Sequence, residues 1–460
     1  MRSLFFNFLI IFFSNVLPQS LQQQPPHPIK TIVVLVLENR SFDHMLGWTK
    51  NSINPTIDGL NGKECNLIST TDPSGPKIYV SDDSEYIDLN SGHTFEDIHK
   101  QVFGSDPYPS MSDFVEQAST VSKNLSETVM KGFHPEKVPV FSRLANEFTV
   151  FNRWFSSVPG TTQPNWIFLF SATSQGSTSN VKRFPAAYLC WNLCKLKYAF
   201  KFKRYESKFE RDAKCGKLPS LTVIEPRYFD VMGQPANDDH LSHDVAQGQR
   251  LVKEVYETLR GGPAVERDFC WWSRTTSTTG FTIMSRRLTW ESRIQTGTWG
   301  PRLINRPPSP NSEYEHSSIP ATIKKVFNLS SHFLTHRDSW AGTFEHVFSE
   351  LTSPRTNFPE VLPDVAHLRK EEANENRGLS EFQDELVQLA AVLKGDHYLS
   401  SFPNEMVKKM KVREANEYVK GAVPRFIRAS KEAKKLGADP SAIVDMRSSL
   451  TTQTSSSVHK

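Results

Sequence analysis

The sequence predicts an α/β fold, a sheet covered by helices on both faces, followed by a smaller helical C-terminal domain. Three observations carry this. The run Thr31-Ile32-Val33-Val34-Leu35-Val36-Leu37 is uncharged and mostly β-branched, the pattern of a strand buried on both faces. From Ile29 to about Pro363, apolar strand-like runs alternate with helical patterns, as in a layered α/β domain. Beyond Pro363 the recognisable patterns are helical.

Taken in order, residues 1–20 read as a secretory signal peptide. Arg2 precedes an apolar run from Leu4 to Phe13 broken by Asn7, and small or polar residues follow to Ser20. That run is too short to span a bilayer, although an uncleaved anchor is the alternative. Residues 21–28 form a Gln/Pro-rich spacer, and no later segment is long and apolar enough to be transmembrane. The mature protein is therefore expected in the secretory pathway, secreted or in an endomembrane lumen, soluble or peripheral to the membrane. Residues 29–363 form the main domain and 364–460 the helical one. A net charge of +4 over 460 residues does not suggest a nucleic-acid partner.

Within the main domain, Ser242 to Leu259 carries Val245, Val252, Val255, Tyr256 and Leu259 at helical spacing, with Gly261 ending the pattern. This sets His240 just before a helix N-terminus, a favourable position for anionic phosphate. In the tail, Ser380 and Gln383 form a capping box, and Phe382, Leu386, Leu389, Ala390 and Leu393 make one apolar stripe before Gly395. A second, Lys/Arg-rich helical stretch runs from about Val412 to Leu436 and is interrupted by Pro424. Its basic face is either solvated or in contact with anionic lipid. Cys65, Cys190, Cys194, Cys215 and Cys270 show no metal-ligand spacing. Asn124 and Asn328 sit in glycosylation sequons. Asn39 does as well, but a glycan there would block the chemistry proposed next.

The strand is followed at once by Glu38-Asn39-Arg40-Ser41-Phe42-Asp43-His44, and an open α/β sheet places its chemistry outside the carboxyl end of a strand. Glu38 and Asn39 supply an anionic and a neutral oxygen, a plausible pair of ligands for a divalent metal. An ordinary strand end with a capped turn is the alternative.

The segment Glu38 to His44 resembles the opening motif of the phosphoesterase family that contains the plant non-specific phospholipases C, with bacterial phospholipases C and acid phosphatases as more distant members. The resemblance continues in order through Ser81-Asp82-Asp83-Ser84-Glu85, Gly92-His93-Thr94-Phe95, Met130-Lys131-Gly132-Phe133 and Thr162-Gln163-Pro164-Asn165. It returns in Val223 to Asp230, Asn237-Asp238-Asp239-His240 and Ser312 to Ser318, covering most of the chain from Ile29 to the tail. It implies an alkaline-phosphatase-like sheet, a divalent metal of unspecified identity on Glu38 and Asn39, and Thr162 as nucleophile, with Thr161 the alternative. A threonine hydroxyl is a weak nucleophile until a metal or base activates it. His93 and His240 become candidates for phosphate binding and general acid catalysis. His240 has the better case, because Asp238 and Asp239 precede it and His243 follows within one turn. His316 matches a motif but has no assigned role beyond anchoring the following helix. The implied reaction is of phospholipase C type, on phospholipid at a membrane surface. A phosphomonoesterase of acid-phosphatase type and an inactive lipid-binding relative are the alternatives.

The chain departs from the family in several places. Trp166 stands where an arginine is expected after Thr-Gln-Pro-Asn, and Gln175 where a histidine is expected. The stretches 184–191 and 301–312 look shortened. A second acidic motif, close to Tyr-Asp-Glu-His-Gly-Gly-Phe-Tyr-Asp-His-Val-Pro, should complete the metal site, but residues 264–287 contain no such pair. Back-translating Thr275 to Arg287 and reading from one base earlier yields Tyr-Asp-Glu-His-Asp-Gly-Phe-Tyr-Asp-His-Val-Pro-Thr, provided the wobble bases are chosen to suit. A shifted reading frame over 264–311 would account for the missing motif, with real divergence of the sequence as the alternative.

Overall fold

The computed structural model describes residues 29–84, 86–87, 91–151, 153–178, 195–262, 269–276, 292–295, 298–301, 303–304, 309–349, 358–402, 405–444, 446 and 448–449. The proposed signal peptide and spacer, the 184–191 stretch, most of 264–291, and Cys190 and Cys194 lie outside the described residues. The chain divides into two compact units, one within Met1–Ser179, Arg204–Arg227 and Ala236–Glu371, the other within Asn180–Lys203, Tyr228–Pro235 and Glu372–Lys460.

The strands in chain order are β1 Thr31–Glu38, β2 Cys65–Leu67, β3 Lys77–Tyr79, β4 Val150–Phe151, β5 Leu221–Ile224, β6 Phe269–Thr276, β7 Ser292–Gln295, β8 Thr298–Pro301 and β9 Leu303–Ile304. The first unit is built on β5-β1-β6, a parallel sheet with β1 in the middle. β4 and β9 pair in parallel, while β2–β3 and β7–β8 are antiparallel.

The uncharged run of β1 has the predicted consequence. Val33, Leu35 and Leu37 enter one apolar cluster, with Val140, Phe141 and Leu144 of the helix Pro139–Glu147 and Val252, Val255 and Leu259 of the helix Val245–Arg260. Ile32, Val34 and Val36 enter the opposite cluster, with Leu169 of the helix Thr162–Ser171 and Ile319 of the helix Ser318–Val326. Alternate residues of a strand point to opposite faces, so a run apolar at every position requires helices on both sides. Each fully buried side chain here contributes about 1.5–3 kcal/mol by leaving water.

The helix expected from Ser242 begins at Val245, because Asp244 caps it by accepting the Ala246 N–H at 3.0 Å. His240 therefore lies four residues outside that cap rather than at the helix N-terminus.

The second unit is helical. Its helix Glu381–Lys394 has the predicted capping box, and Gly395 ends it with a left-handed φ of 75°. The buried face is rotated from the predicted stripe, since Gln383, Glu385 and Val387 are buried with Phe382 and Ala390 while Leu386 and Leu389 are half-buried. The basic stretch is two helices, Val412–Lys420 and Ala422–Lys435, broken at Gly421. Pro424 is not the interruption. It sits in the first turn of the second helix, where a missing N–H costs nothing. No helix among the described residues is long and apolar enough to cross a membrane.

Candidate functional site

The carboxyl end of β1 is closed by side chains that follow from its own sequence. Ser41 caps the short helix Phe42–Leu46 by accepting the His44 N–H at 3.1 Å. Arg40, fully buried, donates to the carbonyls of Asp239 (2.9 Å) and Leu241 (3.2 Å) and to His44 Nε2 (2.6 Å). The Asp239 N–H donates to the Glu38 carbonyl at 2.6 Å. These bonds strap the 237–243 loop over the strand end and bring His240 close enough to Glu38 to act on its charge. Burial of the guanidinium lowers its pKa to about 10, so it remains charged.

Glu38 and Asn39 are both buried. Burial at Asn39 rules out glycosylation of the folded chain there, whereas Asn124 and Asn328 are exposed. Glu38 Oε2 accepts from Trp166 Nε1 at 3.0 Å, and among the described residues Oε1 has no hydrogen-bond partner. Burial pushes this carboxyl up to about 8, against the opposing pull of His240 and the Trp166 bond. A buried carboxylate with one oxygen left over is a receptor for positive charge. The Glu38 end of the expected metal site thus fits a cation by its donor chemistry.

In the 237–243 loop one carboxylate serves two imidazoles. Asp238 accepts from His240 Nδ1 through Oδ2 and from His243 Nδ1 through Oδ1 at 2.6 Å. Burial alone would raise the Asp238 carboxyl, but His243 and His240 together hold it well below the ordinary carboxylate range. Bonding through Nδ1 fixes both rings and directs each Nε2 outward from the carboxylate. Donor atoms of Asp238, His240 and His243 all lie within 4.8 Å of one another, so these three could also hold a metal ion. Asp239, fully buried, has its carboxyl raised by burial and by the adjacent Asp238 charge.

Thr162 is the first residue of the helix Thr162–Ser171, with Thr161 as its N-cap, and both are buried. The loop before it is laced by Asn165, which accepts from the N–H groups of Ser157 (2.8 Å) and Val158 (3.1 Å) and donates to the carbonyls of Val158 (3.0 Å) and Thr161 (3.1 Å). Trp166 lies one turn on from Thr162 and therefore on the same face. Its bond to Glu38 ties the Thr162 helix to the end of β1. The His93 segment approaches the same loop, since a Cβ on Gly160 would lie 2.6 Å from Phe95 Cε2. His93 itself is half-buried, with Nδ1 3.2 Å from the Ser91 carbonyl.

His316 is buried and accepts from Trp154 Nε1 at 3.4 Å through Nδ1. Its neighbour Glu315 receives the Ser157 hydroxyl and pairs with Arg337 at 3.5 Å. Both contacts brace the loop leading to Thr162. Three contributors were not legible as such in the sequence. Asp238 stood out only as an acidic neighbour of His240, Trp166 only as a departure, and Arg40 only as part of a motif.

β6 runs parallel to β1 in a register that pairs Thr275 with Leu37 and Thr276 with Glu38. The residues aligned with Leu37 and Glu38 are therefore threonines, at the place where a shifted frame would encode an acidic pair.

The phosphoesterase family model matches residues 29–193 and 181–269, ending as β6 begins. Non-specific phospholipase C6 of Arabidopsis thaliana is 54% identical over 483 aligned residues, covering 93% of this chain and 92% of that protein. Non-specific phospholipase C1 of the same plant is 45% identical over 504 residues, covering 94% and 93%, and non-specific phospholipase C3 is 42% identical over 491 residues, covering 91% and 92%.

Proposed function

The chain belongs to the phosphoesterase family and, within it, to the plant non-specific phospholipases C, and from that premise we propose that its site hydrolyses glycerophospholipids to diacylglycerol and a phosphorylated headgroup. The observation that supports this reading best is the bond from Trp166 to Glu38. It joins the helix that begins at Thr162 to the strand end that carries the candidate metal ligands.

Thr162 is the proposed nucleophile. Its position as first residue of a ten-residue helix surrounds it with main-chain N–H groups that favour a phosphate oxygen. Attack of its hydroxyl oxygen on phosphorus releases the hydroxyl proton to solvent water, forms a phosphothreonine that still carries the headgroup, and breaks the bond to the glycerol oxygen. That leaving alkoxide takes a proton from an acid, a part suited to His240 because Asp238 holds its Nδ1 and leaves Nε2 to carry the proton. Water then cleaves the phosphothreonine, releases the phosphorylated headgroup and restores Thr162. A divalent cation held by Glu38 and Asn39 would neutralise phosphoryl charge and lower the pKa of the threonine hydroxyl. A hold on phosphate rather than on the headgroup suits broad headgroup tolerance.

The test compares diacylglycerol release from phosphatidylcholine with hydrolysis of a soluble phosphomonoester, for the wild-type chain, Thr162→Ala and Thr161→Ala. Loss of roughly 10³-fold or more in diacylglycerol release with Thr162→Ala alone is the expected outcome. Release that survives Thr162→Ala removes it as nucleophile. Turnover of the monoester but not the lipid favours a phosphomonoesterase.

The β6 register favours a second reading. With threonines opposite Glu38, the chain as written has half of its metal site and would be a catalytically impaired, lipid-binding relative.

A further inference from the structure

We propose that the segment Phe333–Trp340 is the face on which this protein meets a zwitterionic phospholipid surface, with Leu334 and Trp340 entering the interfacial layer. The inference rests on the phospholipase reading above, because a lipid substrate must be drawn from such a surface.

The segment is fastened along the helix that starts at Thr162. Thr335 Oγ1 donates to the Ala172 carbonyl at 3.0 Å, where that helix ends. Arg337 Nη2 donates to the Ser157 carbonyl at 3.0 Å, in the loop that leads into Thr162. Its guanidinium lies 5.9 Å from the Phe168 ring centroid and 5.0 Å from that of Trp340, sandwiched between a ring of the helix and a ring of the segment. Trp166, Phe168 and Phe170 are only half-buried, so the helix continues the aromatic character of the segment.

Against this fixed backing, Leu334 is 59% exposed and Trp340 40% exposed. An exposed tryptophan and an exposed aliphatic side chain on one short, fastened segment are the composition that settles at the boundary between headgroups and acyl chains. No exposed carboxylate lies between Ser330 and Trp340 to repel lipid phosphate, since Asp338 is buried as the cap partner of Thr335.

Zwitterionic rather than anionic lipid follows from the local cations, which are already engaged. Lys325 pairs with Glu345 at 2.8 Å and Arg337 with Glu315, while Lys324 keeps its charge but is folded back onto the carbonyls of Leu329 and Ser331. Insertion of apolar side chains, not attraction of charge, is what this face offers.

The test measures sedimentation of the full chain with phosphatidylcholine vesicles at about 0.1 and about 0.5 M salt, a range over which exposed charges are progressively screened. The wild-type chain should bind at both. Leu334→Asp and Trp340→Asp should each lower the partition coefficient at least about tenfold, the effect of one large apolar side chain left in water. Tyr108→Asp, at a residue 77% exposed elsewhere on the same unit, should leave binding unchanged. Unchanged melting temperatures certify the variants as folded, and Leu334→Ala is the milder substitute if either aspartate variant unfolds. Binding that ignores both sites, or that Tyr108→Asp reduces equally, overturns the proposal. Binding only to phosphatidylserine vesicles, released by salt, overturns it as well. Vesicle binding is read without turnover, so an inactive chain that binds through Leu334 and Trp340 refutes the enzymatic reading alone.

Discussion

Glu38 and Trp166 form a pair whose two members pull in different directions. The indole N–H stabilises the carboxylate through Oε2, while burial penalises it strongly enough to raise its pKa to about 8. Phenylalanine at 166 would keep the ring and lose the donor. Trp166→Phe should therefore destabilise the fold by about 1–3 kcal/mol, the cost of a buried acceptor left unmet, and lower the thermal midpoint in proportion. An unchanged midpoint would mean that Glu38 is served by another donor. The pH dependence follows from the same carboxyl. Between its ordinary value of 4.5 and about 8 the folded state keeps a proton that the unfolded state has lost. Without metal, this group's contribution to stability should fall as pH rises through that window and level off above it. A cation bound at Glu38 needs the carboxylate and expels that proton, so the rise in melting temperature on adding a divalent cation should grow with pH up to about 8. Melting curves across pH, with and without the cation, decide this, and a pH-independent shift would count against Glu38 as ligand. Glu38, Asn39 and Thr162 could be picked out in the sequence because each sits in a short motif at an element boundary. The two hydrogen bonds that Asp238 accepts could not, because they depend on a loop whose path Arg40 sets from some two hundred positions away.

Elements are legible where one periodicity dominates. β1 was recognisable because Ile32 to Leu37 are all apolar, and its alternate residues do divide between two helical layers. Helix ends were less legible, because they turn on single side chains. Asp244 delays the start of one helix by accepting the Ala246 N–H, and Gly421 rather than Pro424 divides the basic pair. The helix Val245–Arg260 also carries a glycine that local propensity cannot explain. Alanine at 248 would gain about 1 kcal/mol of helix propensity. Its Cβ, however, would fall 2.3 Å from Asp239 Oδ1, too close for any real contact. Asp239 is fully buried and its loop is strapped to β1, so the carboxyl cannot swing away into solvent. Overpacking of this kind costs about 1–3 kcal/mol and outweighs the propensity gain. Gly248→Ala should lower the denaturation midpoint, and it should disturb the His240 loop enough to reduce phosphodiesterase activity. A stabilised Gly248→Ala protein would show that the loop can retreat and that the strap is loose.

At the scale of the whole molecule, one unit carries the sheet and the candidate site, and the question is whether that site is complete. The parallel pairing of β6 with β1 runs through to Thr276 opposite Glu38. In an open α/β sheet the residues at that end of adjacent strands share one catalytic crevice. The alternative frame puts aspartate and glutamate at codons 275 to 277, the same end of β6. Backbone register and the shifted reading thus meet at one place, although the register concerns main-chain pairing and the reading concerns codons. The transcript across the codons for Gly261 to Ser312 settles which residues the natural protein has. A chain re-encoded in the alternative frame over that stretch then measures what the acidic pair contributes. Charge stabilisation by a properly held cation supplies several kcal/mol to a phosphoryl transfer, so the re-encoded chain should release diacylglycerol at least about a thousandfold faster than the chain with threonines. Its melting temperature should also respond to lower concentrations of divalent cation. If the chain with threonines turns over lipid as fast, the acidic pair has no part in the site, and Glu38 must find its cation partner elsewhere, with Asp238, His240 and His243 the next ligands to substitute.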